Sequence, residues 1–192
     1  MGRSKALLDW RGRPLILEVA DRLSRVTPHL LVVGGDAGVR ALMDVPTVTD
    51  VFPGRGPLGG LHAALHHATT PWVILVGCDQ PFVDTSFLTH LLKVAEEPGT
   101  DAVVPVLADG KVEPLCAAYS RRVLLRLTDY LKENDGRRMV DFYPLISVRY
   151  LAPPEWEKFG HAGRLFLNIN TPADLDWARR ADSEGDNDAA SR

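Results

Sequence analysis

The chain has 192 residues, of which 45% are hydrophobic and 24% are charged, an ordinary balance for one globular domain. The formal net charge is −3, and residues 182–192 hold four acids and one arginine, so the remaining chain is near neutral. Because a nucleic-acid surface needs a basic surplus, this balance argues against a polynucleotide partner.

Apolar runs of strand length alternate with segments of helical period, which predicts one α/β domain over 1–181 with a mostly parallel sheet covered by helices. Residues 182–192 form an acidic segment that we expect to be disordered. The predicted helices cover 14–25, 38–43, 61–68, 85–97, 120–133, 137–143 and 171–181. The predicted strands cover 30–33, 47–49, 72–77, 102–106, 115–119 and 146–150.

The N-terminal segment places Lys5 beside an apolar run. A lysine at this position either neutralises nucleotide phosphates as a point charge or is simply solvated. The local composition alone favours the solvated lysine.

A glycine-rich segment follows Asp50, which ends a predicted strand, and reaches Gly60 through four glycines and two prolines. Such a segment lets the backbone approach a ligand closely and directs helix N–H groups at an anion. It is not a Walker loop, because no Gly-Lys-Ser/Thr follows. An ordinary strand-to-helix turn is the alternative.

The apolar strand over 72–77 is the best candidate for a central strand. Asp79 lies just after its C-terminal end and just before Pro81. Ligands of open α/β sheets bind at the carboxyl ends of strands. A carboxylate there can hold Mg²⁺, which takes one or two protein oxygens and fills its other positions with water and phosphate. The alternative is that Asp79 caps the next turn.

Two amides, Asn168 and Asn170, lie one residue apart on the same side of an extended segment, and Thr171 can cap the helix that follows. Capping explains Thr171 and leaves Asn168 and Asn170 unexplained. His62 and His66 have a helical spacing that could suit a metal, but no partner lies at a zinc-site spacing, so a partly exposed helix face is the preferred interpretation.

Cys78 and Cys116 lie far apart in apolar runs, which favours reduced thiols in a reducing compartment. No apolar run approaches the roughly 20 residues of a membrane-spanning helix, and a polar segment follows Met1. The predicted location is therefore the cytoplasm, with no membrane partner.

Taken in order, these segments resemble the molybdenum cofactor guanylyltransferases, members of a Rossmann-like nucleotidyltransferase superfamily. The matching segments are Met1-Gly2-Arg3-Ser4-Lys5-Ala6-Leu7-Leu8, Gly12-Arg13-Pro14-Leu15, Asp50 with Gly56-Pro57-Leu58-Gly59-Gly60, Cys78-Asp79-Gln80-Pro81, Pro114-Leu115, Gly136-Arg137-Arg138 and Asn168-Ile169-Asn170-Thr171-Pro172. The resemblance implies a three-layer Rossmann-like sheet and transfer of GMP from GTP to the terminal phosphate of molybdopterin.

The resemblance also implies roles for single residues. Lys5 and Asp79 would be catalytic, Asp79 would hold Mg²⁺, and Lys5, Asp50 and Asp79 would bind GTP. The pterin would lie against Gly56, Leu58, Gly59, Arg138, Asn168 and Asn170. Molybdoenzymes or other proteins of cofactor biosynthesis are the implied protein partners.

The family begins with a strand and a Leu-Ala-Gly-Gly loop, and this sequence starts just after the position of that loop. We therefore expect a central strand and part of the phosphate loop to be missing. Gly34-Gly35 stands where the family can present an amide to the base, so guanine preference is less secure than nucleotidyl transfer. Other small-molecule nucleotidyltransferases, such as cytidylyltransferases of the pterin or of sugar phosphates, and a non-catalytic pterin- or partner-binding protein remain alternatives.

Overall fold

The computed structural model describes residues 4–189, and the side chains of residues 4–182. The α-helices are α1 (Leu15–Ser24), α2 (Ala37–Leu42), α3 (Gly56–His67), α4 (Thr85–Ala95), α5 (Leu124–Glu133), α6 (Pro153–Trp156), α7 (Ala162–Leu165) and α8 (Pro172–Ala189). The strands are β1 (Asp9–Trp10), β2 (Arg13–Pro14), β3 (Val32–Val33), β4 (Thr47–Val48), β5 (Trp72–Val76), β6 (Ala102–Pro105), β7 (Cys116–Ser120) and β8 (Val148–Leu151). The α/β class is confirmed, although the predicted helix over 137–143 is two 3-10 turns.

The main sheet has four strands in the order β5–β7–β6–β8. Strand β7 is antiparallel to both of its neighbours, whereas β6 and β8 are parallel. The predicted mostly parallel sheet is therefore a mixed sheet in the part of the chain that the structure describes. The cause is the turn at Asp109-Gly110, where Gly110 has φ +82° and the Leu107 N–H donates to Lys111 O, because a hairpin returns the chain antiparallel without a crossover helix.

Successive residues along the strands of the main sheet pack into two separate hydrophobic cores. Ala102 and Val104 pack with Tyr119 against α3 and α5, whereas Val103 packs with Ala118 against α4. This period of two is what a strand requires when both faces are covered. The sheet is thus the middle of three layers.

Strands β3 and β4 form a separate parallel pair, with Val32 opposite Thr47. An apolar groove of about 990 Å³ lies between this pair and β5 and is lined by residues of α1 and α3 as well. Strand β5 is consequently at the edge of the main sheet, and each of its five side chains is only partly buried. The prediction of a central strand over 72–77 is wrong for the described residues, because one edge of β5 faces the groove instead of another strand.

The C-terminal helix α8 continues to Ala189, past residue 181 at which the sequence predicts its end. The expected disorder of residues 182–192 stays a prediction, and residues 190–192 lie outside the described residues. Asp182 is buried and pairs with Arg11 in the β1–β2 turn, so its side chain packs on the N-terminal hairpin. Within the described range, no helix is long and apolar enough to cross a bilayer.

Asp101, at the start of β6, is a buried carboxylate that joins three parts of the fold. It accepts hydrogen bonds from the Ser147 N–H at 2.9 Å and from the Arg122 guanidinium. Burial alone would raise the pKa of Asp101, but these two donors outweigh it and hold the pKa below its usual value. The stabilisation is present above the unfolded pKa and is lost as pH falls through the folded pKa.

We expect Asp101→Asn to lower the free energy of unfolding by about 1–3 kcal/mol at pH 7, because an amide nitrogen faces donors that a carboxylate satisfied. The difference from wild type should shrink as the pH is lowered below about 4. Urea unfolding at several pH values measures both effects. Asp109→Asn, which changes an exposed carboxylate in the hairpin turn, is the control and should have a much smaller effect. Equal losses for the two variants would contradict the assignment.

Candidate active site

Three side chains that are far apart in sequence meet at the end of β5. The Lys5 ammonium donates to Asn170 Oδ1 at 2.5 Å and lies 3.9 Å from Asp79 Oδ2. The side chain of Lys5 is 42% exposed and that of Asp79 is 17% exposed, so the cluster opens to solvent on the lysine side. Lys5 is therefore paired within the protein and is not a freely solvated lysine, and its role toward a ligand stays a prediction.

The Asp79 loop is built to bring its carboxylate close to the strand end. A Cβ on Gly77 would lie 2.7 Å from Asp79 Oδ1, so a larger residue at position 77 would displace this carboxylate oxygen. The buried Gln80 accepts a hydrogen bond from the Gly77 N–H through Oε1 at 3.0 Å, which closes the turn. Helix α4 is capped by Asp84, whose Oδ1 accepts from the Phe87 N–H at 2.8 Å, so Asp79 is not needed as its cap.

Burial controls the protonation chemistry around Asp79. Desolvation raises the pKa of Asp79, and hydrogen bonding to its own backbone and the charge of Lys5 offset only part of that rise. Burial also raises the pKa of the neighbouring Cys78 thiol to about 11, so the thiol is neutral at pH 7. Water stabilises the ionised Asp79 carboxylate poorly, so a cation placed beside it would stabilise the ionised form.

The segment of Asn170 is tied to the Asp79 loop through the backbone, because the Ile169 N–H donates to Asp79 O at 2.9 Å. Asp174 Oδ2 accepts from the N–H groups of Asn170 and Thr171, at 2.9 and 2.7 Å. Thr171 Oγ1 accepts in return from the Asp174 N–H at 3.2 Å, which confirms the predicted cap at Thr171. The contribution of Asp174 was not predicted, although a threonine followed three residues later by an acid is the signature of such a cap.

The glycine-rich segment wraps over the start of α3. A Cβ on Gly59 would lie 2.9 Å from Phe52 O and 3.7 Å from Asp50 Oδ2, so the segment after Asp50 packs directly on the helix. A Cβ on Gly56, which has φ +54°, would lie 3.4 Å from Arg137 O. Two segments that the resemblance assigns to the pterin are therefore neighbours.

Other candidate residues lie in different surroundings. Leu58 has a fully buried side chain in the core, so only its backbone is accessible to a ligand. Arg138 is exposed and donates to Asp141 Oδ1 at 2.7 Å. Asn168 donates through Nδ2 to Phe166 O at 3.1 Å. Asn170 lies with Lys5 and Asp79, the residues assigned to GTP and the cation.

The histidines of α3 differ from expectation. His62 is 3% exposed, and its Nε2 lies 2.9 Å from Thr128 Oγ1, so the predicted partly exposed face is wrong for this residue. Burial lowers the pKa of His62. His66 and His67 are exposed. The adjacent helix α5 covers His62, which the helical spacing alone could not show.

Of the N-terminal segment Met1 to Leu8, the structure describes the residues from Ser4 onward, and Met1, Gly2 and Arg3 lie outside the described residues. The model of the MobA-like NTP transferase domain matches residues 1–148. The chain belongs to this family. The predicted family and nucleotidyltransferase class are thereby confirmed.

Among the relatives, a probable molybdenum cofactor guanylyltransferase of Pelotomaculum thermopropionicum is 33% identical over 181 residues, covering 93% of this chain and 85% of the relative. A molybdenum cofactor guanylyltransferase of Vibrio cholerae is 33% identical, covering 91% of this chain and 82% of the relative. The crystal structure of molybdopterin-guanine dinucleotide biosynthesis protein A from Archaeoglobus fulgidus is 28% identical with a TM-score of 0.83, covering 95% of this chain and 92% of that chain.

A further solved structure bears on metal use. A Mycobacterium tuberculosis protein in complex with manganese is 26% identical with a TM-score of 0.64, and the match covers 92% of each chain. The manganese is bound by that protein, which shares the fold of this chain.

The close packing of Gly59 generates a paired prediction. We expect Gly59→Ala to destabilise the chain by about 1–3 kcal/mol, because the added Cβ meets backbone at Phe52 O and displaces the segment after Asp50. Gly60→Ala in the same helix is the matched control, since nothing lies within 4 Å of its Cβ position. It should be neutral or stabilising by up to about 1 kcal/mol. Thermal unfolding of both variants tests this, and similar midpoints would refute the packing argument.

Proposed function

We propose that this chain transfers GMP from GTP to the terminal phosphate of molybdopterin and releases pyrophosphate. The observation that carries the proposal is the meeting of Lys5, Asp79 and Asn170 at the carboxyl end of β5. The names of the relatives supply the substrate class, since several are named molybdenum cofactor guanylyltransferase at 31–33% identity.

In this reaction an oxygen of the pterin phosphate attacks the α-phosphorus of GTP, and the bond from that phosphorus to the bridging oxygen of pyrophosphate breaks. Little covalent work falls to the protein, so placement of two anionic substrates and compensation of charge are the main tasks. Lys5 would pair with the phosphates of GTP. Asp50 would contact the ribose or base.

The carboxylate oxygens of Asp79 suit a hard divalent cation, since Mg²⁺ takes one or two protein oxygens and otherwise keeps water and phosphate. Asp79 would hold Mg²⁺, which supplies charge compensation at the phosphates when bound. The raised pKa of Asp79 supports this role, because a poorly solvated carboxylate gains most from a cation.

The pterin would lie against the segment formed by Gly56 and Gly59, beside Arg138. Leu58 would take part only through its backbone, since its side chain is in the core. Asn168 and Asn170 would contact the acceptor side as well. Gly56 lies close to Arg137, the neighbour of Arg138. This contact supports one continuous surface formed by the glycine-rich segment and the segment of Arg138.

A cytidylyltransferase of the same pterin is the second candidate, because Gly34-Gly35 offers no side-chain amide for a base. Competition between GTP and CTP in the transfer assay distinguishes the two. The expected location is the cytoplasm, and molybdoenzymes or other biosynthetic proteins are the expected partners.

The first test is Asp79→Asn, assayed by pyrophosphate release with GTP, Mg²⁺ and molybdopterin. We expect the rate to fall by about 100-fold or more with the fold intact, because one anionic cation ligand is lost while the shape is kept. Asp84→Asn is the matched control, since asparagine caps a helix as well as aspartate does. A near-normal rate for Asp79→Asn would remove this residue from the mechanism.

The second test concerns the groove between β3 and β5. We propose that an extended apolar strand fills it in the fully active enzyme, because both bordering strands have an unpaired edge in the described residues and the walls are apolar. Adding a strand and glycine loop upstream of Met1, roughly 15–20 residues, should raise both the thermal midpoint and the transfer rate.

The gain in stability should come from burial of apolar area at about 25 cal/mol per Å², less the cost of ordering the strand. A Gly/Ser extension of equal length is the control and should change neither quantity. If the 192-residue chain already turns over as fast and melts as high as the extended one, the groove needs no strand.

A further inference from the structure

Glu113 is a carboxylate at the sheet edge that carries Asp79, and the proposed transfer reaction gives it no task. Its N–H donates to Pro105 O at 2.9 Å, at the end of β6. Two residues later, Leu115 O accepts from the Gly77 N–H at 2.9 Å, in the turn that holds Asp79. The segment of Glu113 therefore runs from the carboxyl end of β6 to the carboxyl end of β5, the edge at which ligands of α/β sheets bind.

The side chain of Glu113 is half-buried and has no partner. It forms no hydrogen bond or ion pair with residues 4–182, the range whose side chains the structure describes. Burial, with a smaller contribution from the charge of Asp109, raises the pKa of Glu113 to about 7. Buried polar groups are normally paired, because the water that burial removes must be replaced. An unpaired carboxylate at a ligand edge therefore indicates a ligand that brings the missing donors.

The neighbours of Glu113 in the hairpin show where it lies. Val112 packs against the core beneath α3 and α5, whereas Cys116 belongs to the core beneath α4. The charge of Glu113 adds to the burial that raises the pKa of the Cys116 thiol, so the carboxylate is close to the start of β7. Asp109 is the charged group that acts on Glu113 among the described side chains, and the Cys116 thiol is neutral.

The pterin ring presents donors of the required kind. One edge of its pyrimidinone ring carries a ring N–H and an amino group side by side. Two parallel N–H donors match the two oxygens of a carboxylate, as the fork of an arginine does. An ionised carboxylate only accepts hydrogen bonds, so both of its oxygens can face this edge. Guanine has the same edge, and the position of Glu113 must decide between the two rings.

Glu113 lies on the side of Asp79 away from the groups assigned to the nucleotide. Asp50 and Ser4, the neighbour of Lys5, line the groove on one side of β5. Strand β7 lies on the opposite side of β5, with β6 beyond it. Adjacent strands are about 4.8 Å apart, so the end of β6 is roughly 10 Å from the end of β5. A pterin with a phosphorylated side chain can span this distance when its phosphate lies at Asp79.

We propose that Glu113 binds the ring N–H and the amino group of the acceptor's pterin ring, while the phosphate of the acceptor lies at Asp79. The proposal rests on the proposed function in taking molybdopterin as the acceptor. It makes Glu113 a specificity-determining residue for the acceptor and leaves the nucleotide to the opposite side of β5.

The test is equilibrium dialysis of molybdopterin, and separately of GTP, against the full chain, which requires no turnover. Glu113→Gln should weaken molybdopterin binding about 10- to 100-fold at a pH of about 8, because the amide turns one acceptor into a donor that faces an N–H group. GTP binding should change by less than about twofold. Asp109→Asn, in the same hairpin, is the matched control and should leave both affinities within about twofold.

The pH dependence provides a second measurement. Glu113 accepts both N–H groups only when it is ionised, so the ratio of wild-type to Glu113→Gln affinity for molybdopterin should increase as the pH rises through about 7. Taking the ratio cancels the titration of the phosphate and of Asp79, which both proteins share. Asp109→Asn should shift this increase to lower pH, because it removes a repelling charge. A ratio that does not change with pH contradicts the proposal.

A structural role for Glu113 would have a different result. Glu113→Gln should not lower the thermal midpoint, since an unpaired half-buried carboxylate is itself costly. A lower midpoint with equal losses of molybdopterin and GTP binding would show that Glu113 is structural, and a loss confined to GTP would assign it to guanine. Either result overturns the proposal.

Failure of the proposed function can be recognised separately. If the wild type transfers GMP to molybdopterin but Glu113→Gln binds molybdopterin normally, only the assignment of Glu113 is wrong. If Glu113→Gln weakens molybdopterin binding but the wild type transfers no GMP, the assignment holds and the proposed function is overturned. Absence of molybdopterin binding in the wild type overturns both.

Discussion

The hydrogen bond from the Ile169 N–H to Asp79 O is the contact on which the candidate site depends. It joins the turn after β5 to a segment 90 residues later, and so it sets the separation of Asp79 and Asn170. Lys5 then reaches both from the N-terminal side. Three segments with no local relation in sequence thus supply one carboxylate, one amide and one ammonium. Without this backbone contact, the charges would be present but their spacing would not be fixed.

Several features followed from local chemistry and were predictable from sequence. Asp84, Thr171 and the Asp109-Gly110 turn act through hydrogen bonds and torsion angles within a few residues, so a short window contains the cause. Lys5 and Asp79 were singled out as residue types suited to phosphate and Mg²⁺, and the structure brings them together. Their assigned roles stay predictions.

Other features depend on partners that a window of sequence does not contain. His62 has the spacing of an exposed helix face, but α5 covers it. Strand β5 is apolar throughout, as a central strand would be, yet its edge position follows from which strands lie beside it. Asp182 of α8 pairs with Arg11, which lies 171 positions earlier in the chain. Each of these features depends on contacts between segments far apart in sequence, and the local composition does not show such contacts.

The groove lies next to the candidate site. Filling the groove would therefore affect both the stability of the fold and the geometry of the site. The walls of the groove include Ser4 and Cys78, the neighbours of Lys5 and Asp79, together with Asp50 and Gly56 of the glycine-rich segment. Any segment that packs between β3 and β5 would therefore contact the backbone next to Lys5 and Asp79. Because packed interiors transmit small displacements, filling the groove would fix the relative positions of these groups as well as bury apolar area. The same contacts that complete the core would then align two anionic substrates for in-line attack, where small errors in placement are costly.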